Sequence, residues 1–521
     1  MRQDGARERI RPADLTAGLA DNPIVDIALP RADLRAATLE FLIGLLATAC
    51  GPSGDSVWRL SYENPPAPSE LAARFAPLEH AFDVDGPGAR FMQDGGDLGN
   101  ETSPVSGLLI EQPGGNTQKN NADLFVKRGR VEVLARSTAA LVLFALQDFA
   151  PAGGAGHRTG LRGGGPLTTL AFSPKTPSLW HFLWLNVTSV FDPSEDAPPE
   201  ERLAEVFPWL APTRVSDKSG RPTTLADIHP AQCFWAMPRR IALDFEPNVD
   251  NLPCDLTGEI EPVIVKSYRT RPYGVNYLNV EHPLTPSYKV KDEWLFVHPQ
   301  PGGVAYRHWL GLVLYGETTR SAPCILAAER RLGATRERAL LRLYGYDMDN
   351  MKARGFVETE MPLLFPPEGA QVSFAVLVAR LIEGAKAVAS LTLGQIKAAG
   401  GAATDLDLIR EKFFAESQSA FFAAVEQALN ALVAQPDDDG QAIRKVWLDG
   451  ELAPLARKIF EQEAPLLALA EAGDLRALEK AVNAKRLLEI SLTGHGKVGA
   501  DLFKAFGLNT RAPKAKKGGR K

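Results

Sequence analysis

From about residue 368 to residue 507 the chain is almost wholly Ala, Leu, Glu and Lys laid out at helical spacing. Four segments stand out, at about 369–398, 404–434, 440–471 and 473–492, separated by AAGGAAT, QPDDDG and the Gly473-Asp474 turn. Apolar residues recurring at three- and four-residue steps line one face of a helix and cannot line one face of a strand. Long helices joined by short connections pack as antiparallel neighbours. The preceding residues obey no such rule. Residues 31–50 read as a helix with Leu39, Leu42, Leu45 and Leu46 on one side, and 68–80 and 131–149 read as two more. Between 167 and 365 the pattern turns to short apolar runs split by Pro and Gly: LTTLAF, SLWHFLWLNV, IEPVIVKSY, WLFVHP and LLRLYGY, read as strands and loops with a few short helices. The expected fold class is α+β: a large loop-rich mixed α/β N-terminal domain over 1–367, then a C-terminal up-down four-helix bundle over 368–507. Residues 508–521 end in RAPKAKKGGRK, six positive charges in eleven residues, and read as a basic disordered tail.

Composition narrows the function classes. Among 521 residues, 58 Lys+Arg face 63 Asp+Glu, a net charge of −5, which argues against a surface coated in nucleic acid but leaves room for a local basic groove. Cys50, Cys233, Cys254 and Cys324 are scattered, with no pair at C-x-x-C spacing, so neither a disulfide scaffold nor a zinc knuckle is expected. No apolar run reaches the length of a membrane span, and MRQDGARERIRPADL lacks the apolar stretch of a secretory signal. The expectation is a cytoplasmic protein with reduced thiols.

Enzyme motifs are weak. GLRGGGPLTT lacks the Lys-Ser/Thr of a phosphate loop, and neither G-x-S-x-G nor H-E-x-x-H occurs. Asp347-Met348-Asp349-Asn350 begins like a calcium loop with Glu358 at the twelfth position. Met351 at the fifth cannot ligate, however, and Lys352 stands where the turn needs glycine. A stand-alone hydrolase with its site between the two domains would draw first on Asp347, Asp349 and His282, which no spacing favours.

Loops suited to nucleic acid are better represented. In 114–130, GGNTQKNNADLFVKRGR, Lys119, Lys127, Arg128 and Arg130 offer phosphate contacts, and the Asn and Gln amides offer base-edge contacts, with Phe125 the one aromatic. Residues 151–166, PAGGAGHRTGLRGGGP, hold seven glycines, which let the backbone approach a ligand closely, beside Arg158 and Arg162. Lys289 and Lys291 in SYKVKDEW are two apart and would share a side on a strand or extended hairpin.

FMQD (91–94), EQPGGNTQKNNADLFVKRG (111–129), GHRTGLRGGGPLTT (156–169), CFWAMPRRI (233–241), HPLTPSYKVK (282–291) and YGYDMDNM (344–351), in this order and followed by a helical bundle, resemble CasA, the large Cse-type subunit of the type I-E CRISPR Cascade complex. The resemblance covers most of the chain. It departs at the start, where relatives open with a short Leu/Pro/Trp-containing strand and this chain has MRQDGARERI. Some relatives carry paired C-x-x-C motifs for zinc; this chain does not, so no metal and no cofactor are expected.

The resemblance implies a non-catalytic subunit that reads the protospacer-adjacent motif on duplex DNA, largely from the minor groove, and starts strand separation for guide-RNA pairing. A glycine loop would do this through Gly154, Gly156, His157, Arg158, Gly160 and Arg162, with Gly156 and Gly160 foremost. A lysine finger would be Lys289 or Lys291, and a wedge Asp349, Asn350 and Met351, where Asn stands for the relatives' Gln. A loop with Asn116, Lys119, Asn120, Asn121, Phe125, Lys127 and Arg128 would anchor the subunit near the guide's 5′ end. The implied partners are the other Cascade subunits with guide RNA, double-stranded target DNA and the helicase-nuclease, with a monomer when isolated.

Overall fold

The computed structural model describes residues 1–121, 123, 128–151, 153–154, 156–176, 178–189, 200–217, 220–314, 316–332, 339–349, 351–366, 369–400, 406–435 and 439–509. It divides into two compact units. One holds Met1–Pro301 and Tyr315–Leu363; the other holds Gly302–Leu314 and everything from Leu364.

Among the described residues, the first unit carries ten strands in three small sheets. These are β1 (Ser103–Pro104), β2 (Leu134–Ala135), β3 (Thr168–Phe172), β4 (Arg240–Pro247), β5 (Val263–Arg271), β6 (Ser287–Val290), β7 (Glu293–Phe296), β8 (Thr319–Arg320), β9 (Ala339–Asp349) and β10 (Lys352–Leu363). β5 pairs with β4 along its length and with β1 and β2; β9 lies between β3 and β10; β6 lies between β7 and β8; all pairs are antiparallel. The runs LTTLAF, IEPVIVKSY, WLFVHP and LLRLYGY thus fall on β3, β5, β7 and β9. The core between the sheets and helices is aromatic. Phe41, on the apolar helix Ala32–Cys50, meets Phe82, Phe91, Phe144 and Trp235 edge-on at 5.6–6.0 Å, a geometry that suits the ring quadrupoles.

SLWHFLWLNV, one of the runs read together as strands and loops with a few short helices, forms the helix Leu179–Leu185. Ser178 caps it, its hydroxyl accepting from the His181 amide. Trp180 and Trp184, one helical turn apart, stack at 5.2 Å. The Trp184 indole donates to the Trp58 carbonyl at 2.9 Å while the Trp58 indole donates to the Trp184 carbonyl at 2.8 Å. Tertiary partners for two indole N–H groups settle what a short apolar run leaves open.

The second unit follows the helical pattern. Its long elements are Gln371–Ala398, Leu406–Ala434, the run Gln441–Glu463 with a π-helical turn at Trp447–Leu452, and Leu475–Leu492. The third run stops at Glu463 rather than 471, and Leu466–Glu471 and Gly496–Ala505 are additional short helices. Gly302–Leu314 enters this core: Tyr306 stacks on Phe421 at 4.2 Å and shares a 3.0 Å hydrogen bond with Ser417, and Trp309 meets Phe374 and Phe422. No single helix among the described residues is long and apolar enough to cross a membrane.

Candidate nucleic-acid interface

The glycine loop leaves the C-terminus of the helix Arg136–Phe149, and its base serves as that helix's cap. The amides of Gly160 and Gly165 donate to the carbonyls of Ala150 and Phe149 at 2.9 and 3.1 Å, satisfying acceptors that a helix end leaves open. Gly160 is buried, and a Cβ there would stand 2.6 Å from the Asp148 carbonyl oxygen. The tip is a tight turn closed by the His157 amide donating to Gly154 at 2.8 Å. Gly154 and Gly156 adopt left-handed φ of +64° and +85°, conformations that glycine takes without strain. Gly153, Gly154 and Thr159 are exposed.

Two side chains hold the tip from outside. Tyr273, itself at φ +66°, donates its amide to the Gly156 carbonyl at 2.8 Å and lays its ring where a side chain on Gly156 would be. Arg158 is half-buried and donates through Nε to the Ser216 hydroxyl at 2.8 Å and through its terminal nitrogen to the Ser216 carbonyl at 2.5 Å. Burial holds His157 below its usual pKa, helped by the nearby Arg239 guanidinium. Arg239 is itself buried and donates to the Pro151 carbonyl; burial lowers it to about 10.

Arg162, expected among the DNA-binding residues of the glycine loop, is 1% exposed. It donates to Glu40 and Asp148, each at 2.7 Å, and to the hydroxyls of Thr168 and Thr285 at 2.9 and 2.8 Å. Burial opposes its charge, but Asp148 and Glu40 outweigh burial and keep the guanidinium protonated. One guanidinium faces two carboxylates, and Glu40, wholly buried, is the one that burial pushes upward. Arg162 therefore leaves the set of DNA-contacting candidates. The sequence carries a signal for this: Glu40 is the one charged residue in the otherwise apolar LEFLIGLLA, and a carboxylate there requires a buried partner.

Glu40, Asp148 and His282 also lie close enough to hold a metal ion. The donor set does not fit one. Both carboxylates already accept from Arg162, and His282 Nδ1 accepts from the Leu284 amide at 3.2 Å, which leaves the ring proton of the neutral imidazole on Nε2. The first candidates for a hydrolase are accounted for separately. His282 is buried in this cluster, Asp347 is paired with Arg354 at 2.7 Å, and Asp349 is exposed at a hairpin tip.

That tip is the turn of the β9–β10 hairpin, where Asp349 pairs with Lys352 and Met351 occupies the turn. Asn350 lies outside the described residues. A register shift between Ala353 and Gly355 places Arg354 at a bulge, from which it reaches Asp347 and, at 3.9 Å, Asp349. Met351 is 54% exposed, and its sulfur lies 3.6 Å from where a Cβ on Gly154 would sit. The wedge and the glycine-loop tip are thus neighbours on one surface.

The lysine hairpin reaches the same loop through its base. After β7, the Val297 carbonyl accepts from the Leu167 amide at 2.9 Å, and His298 Nε2 bonds the Arg162 carbonyl at 3.0 Å. Lys289 is in β6 opposite Trp294, but Lys291 is not in a strand. It occupies the two-residue turn with φ +55°, so the alternation expected to put both lysines on one side ends at Val290. Both lysines are exposed.

In the anchoring segment, Asn116 and Lys119 fall in the short helix Gly115–Lys119, and Lys119, Asn120 and Asn121 are exposed. Arg128 is turned onto its own loop, donating to Asp123 at 2.6 and 2.7 Å and to the Gln118 carbonyl at 2.5 Å. Phe125 and Lys127 lie outside the described residues, as does the chain from residue 510. Tyr273, Ser216 and Arg354 have no local motif in the sequence, and Arg239 falls in CFWAMPRRI with no role legible there.

A fold of this kind, a loop-bearing mixed unit and a helical one, defines a class, and the family model described as CRISPR-associated protein Cse1 matches residues 1–458. The chain belongs to the Cse1 family. Among solved structures it resembles Thermus thermophilus CasA (Cse1), with a TM-score of 0.63 at 17% identity over 96% of each chain. It also resembles Thermobifida fusca Cse1, with a TM-score of 0.63 at 16% identity over 98% of this chain and 96% of that one. A chain in the structure of a CRISPR RNA-guided surveillance complex gives 0.64 at 15% identity over 93% of this chain and 96% of that one. At these identities the likeness is one of fold.

Proposed function

We propose that this protein is the non-catalytic large subunit of a guide-RNA surveillance complex of the Cascade type. In this reading it recognises the protospacer-adjacent motif on duplex DNA, begins strand separation and helps recruit the helicase-nuclease. The observation that carries the reading is the apposition of exposed Met351 with the left-handed Gly154 turn. A bare backbone turn can enter a narrow groove, and an apolar side chain beside it can slip between base steps. Unstacking one step costs a few kcal/mol, which contacts to the separated strands and pairing with the guide offset. Lys289 and Lys291 add phosphate contacts, and the 114–130 segment supplies the attachment to guide and neighbouring subunits. Exchange of strands is close to balanced energetically, so a protein that only nucleates it needs no bond-breaking chemistry.

The test is reconstitution with guide RNA and the other subunits, followed by titration with duplexes that carry or lack a flanking motif. Motif-dependent binding and opening, with no turnover of nucleotide or nucleic acid by this chain alone, is the expected result. Failure to join the RNA-containing complex, or equal binding of all duplexes, overturns the reading.

A further inference from the structure

We propose that Arg162 is a positioning residue for the glycine loop: it fixes the loop base against two helices and thereby sets where the Gly154–Gly156 tip stands. The inference rests on the functional reading above only in what the tip is for. Its structural part stands on its own.

The argument begins with connectivity. Arg162 belongs to the loop, Glu40 to the helix Ala32–Cys50 and Asp148 to the last turn of Arg136–Phe149. Thr168 opens β3, and Thr285 precedes β6. One guanidinium therefore ties the loop to two helices, to the β3–β9–β10 sheet and to the approach to the lysine hairpin. The Thr168 hydroxyl also donates to Glu40 at 2.6 Å, so the two partners are joined to each other. The fork geometry of arginine allows four acceptors at once, which a lysine ammonium with three donors on a flexible stem cannot match.

Next comes leverage. The Arg162 carbonyl accepts from His298, and the neighbouring amides of Gly160, Gly163 and Gly165 bond to Ala150, Gly160 and Phe149. Gly160 packs against the carbonyl of Asp148, the residue whose carboxylate receives Arg162. A shift of Arg162 is transmitted to these bonds and on to the tip a few residues away. Glycines confer no rigidity, so a loop with seven of them owes its fixed shape to such anchors. Removing Arg162 leaves the two carboxylates with no guanidinium between them, whereas neutralising Asp148 leaves the Arg162–Glu40 pair and takes away the ionic tether to the second helix.

The experiment compares Arg162→Met and Asp148→Asn in the full chain assembled with guide RNA. Hydrogen exchange of the amides over 153–165 should accelerate at least about tenfold in both, with or without DNA. Discrimination between motif-bearing and motif-lacking duplex should fall by a similar factor, while the slope of log affinity against log salt stays that of the unsubstituted complex. Were Arg162 a phosphate contact, Arg162→Met would weaken all duplexes alike and reduce the slope by about 0.9, and Asp148→Asn, which removes a negative charge, would bind as well or better. Should Arg162→Met not assemble, Asp148→Asn alone decides: unchanged exchange over 153–165 overturns the proposal. If exchange accelerates but the unsubstituted complex shows no motif preference, the positioning role stands and the functional reading falls.

Discussion

The glycine loop and the lysine hairpin both present exposed tips, but opposite means hold them there. The loop has almost no side chains of its own at the tip and is fixed by others: buried Arg162 at its base, the Tyr273 ring and the Arg158–Ser216 bonds higher up. The hairpin is held by its own four-residue ladder and by Arg320 lying 3.7 Å over Trp294, while Tyr288, Val290 and Leu295 stay partly open to solvent. One region specifies position and offers backbone; the other offers charge. Sequence-dependent recognition should reside in the first and sequence-independent affinity in the second.

The sharpest way to break this comparison is Gly156→Ala. A Cβ there lies 2.5 Å from the Tyr273 ring, at a φ of +85° that costs an alanine about 1–2 kcal/mol before any clash. Motif discrimination should fall by about tenfold or more, since each ~1.4 kcal/mol is a factor of ten, while the melting temperature drops by only about 2–4 °C per kcal/mol of strain. Retained discrimination would show that the tip does not read the motif.

Lys289→Ala with Lys291→Ala should do the converse. Affinity for every duplex drops by about the same factor, and the salt slope falls by about 1.8 if both lysines neutralise phosphates. A fall of only about 0.9 would leave one of them as the contact. A motif-selective loss would mean the hairpin also reads sequence.

Met351→Ser tests the border between the two. Opening of the duplex, followed by a fluorescent base analogue, should slow about fivefold, while binding to a duplex already unpaired at the same steps is unchanged, because only the unstacking cost is affected. Equal loss on both substrates would make Met351 a packing residue for Gly154.

The smallest effect is expected from pH. Burial holds His157 below its ordinary pKa, so its neutral form supports the folded loop. That support is present above the unfolded value of about 6.5 and is lost as pH falls through the lower folded value. Discrimination should decline about twofold on acidification below pH 6, and His157→Gln should flatten the profile, while the lysine-dependent salt slope stays constant. A slope that follows the same pH curve would place His157 at the phosphates.

What was legible in the sequence divides along physical lines. The long helices of the second unit declare themselves because their burial pattern repeats within a few residues. β5 and β9 are legible for the same reason. The helix Leu179–Leu185 is not legible from its own residues because its choice between helix and strand is made by Trp58, more than a hundred residues away. The two loop arginines, four residues apart in the same glycine-rich context, look alike on paper. They differ only because Glu40 and Asp148 converge on one of them and Ser216 on the other. Lys291 slips out of the strand because the ladder closes at Val290 and Glu293. The neighbourhood of Gly154 and Met351 could be guessed from a resemblance, but nothing local encodes it.

The insertion of Gly302–Leu314 into the helical unit has a practical meaning for anyone dividing the molecule. The polypeptide passes between the two units three times, so no single cut yields both intact. A fragment starting at the compositional break near residue 368 lacks Tyr306 and Trp309. Phe374, Phe421 and Phe422 would then border an empty space where two large rings belong, at a cost on the order of 3–5 kcal/mol for each ring. Excision of the bundle therefore needs the thirteen-residue strip grafted back, and isolated-fragment experiments without it report on a different, loosened object.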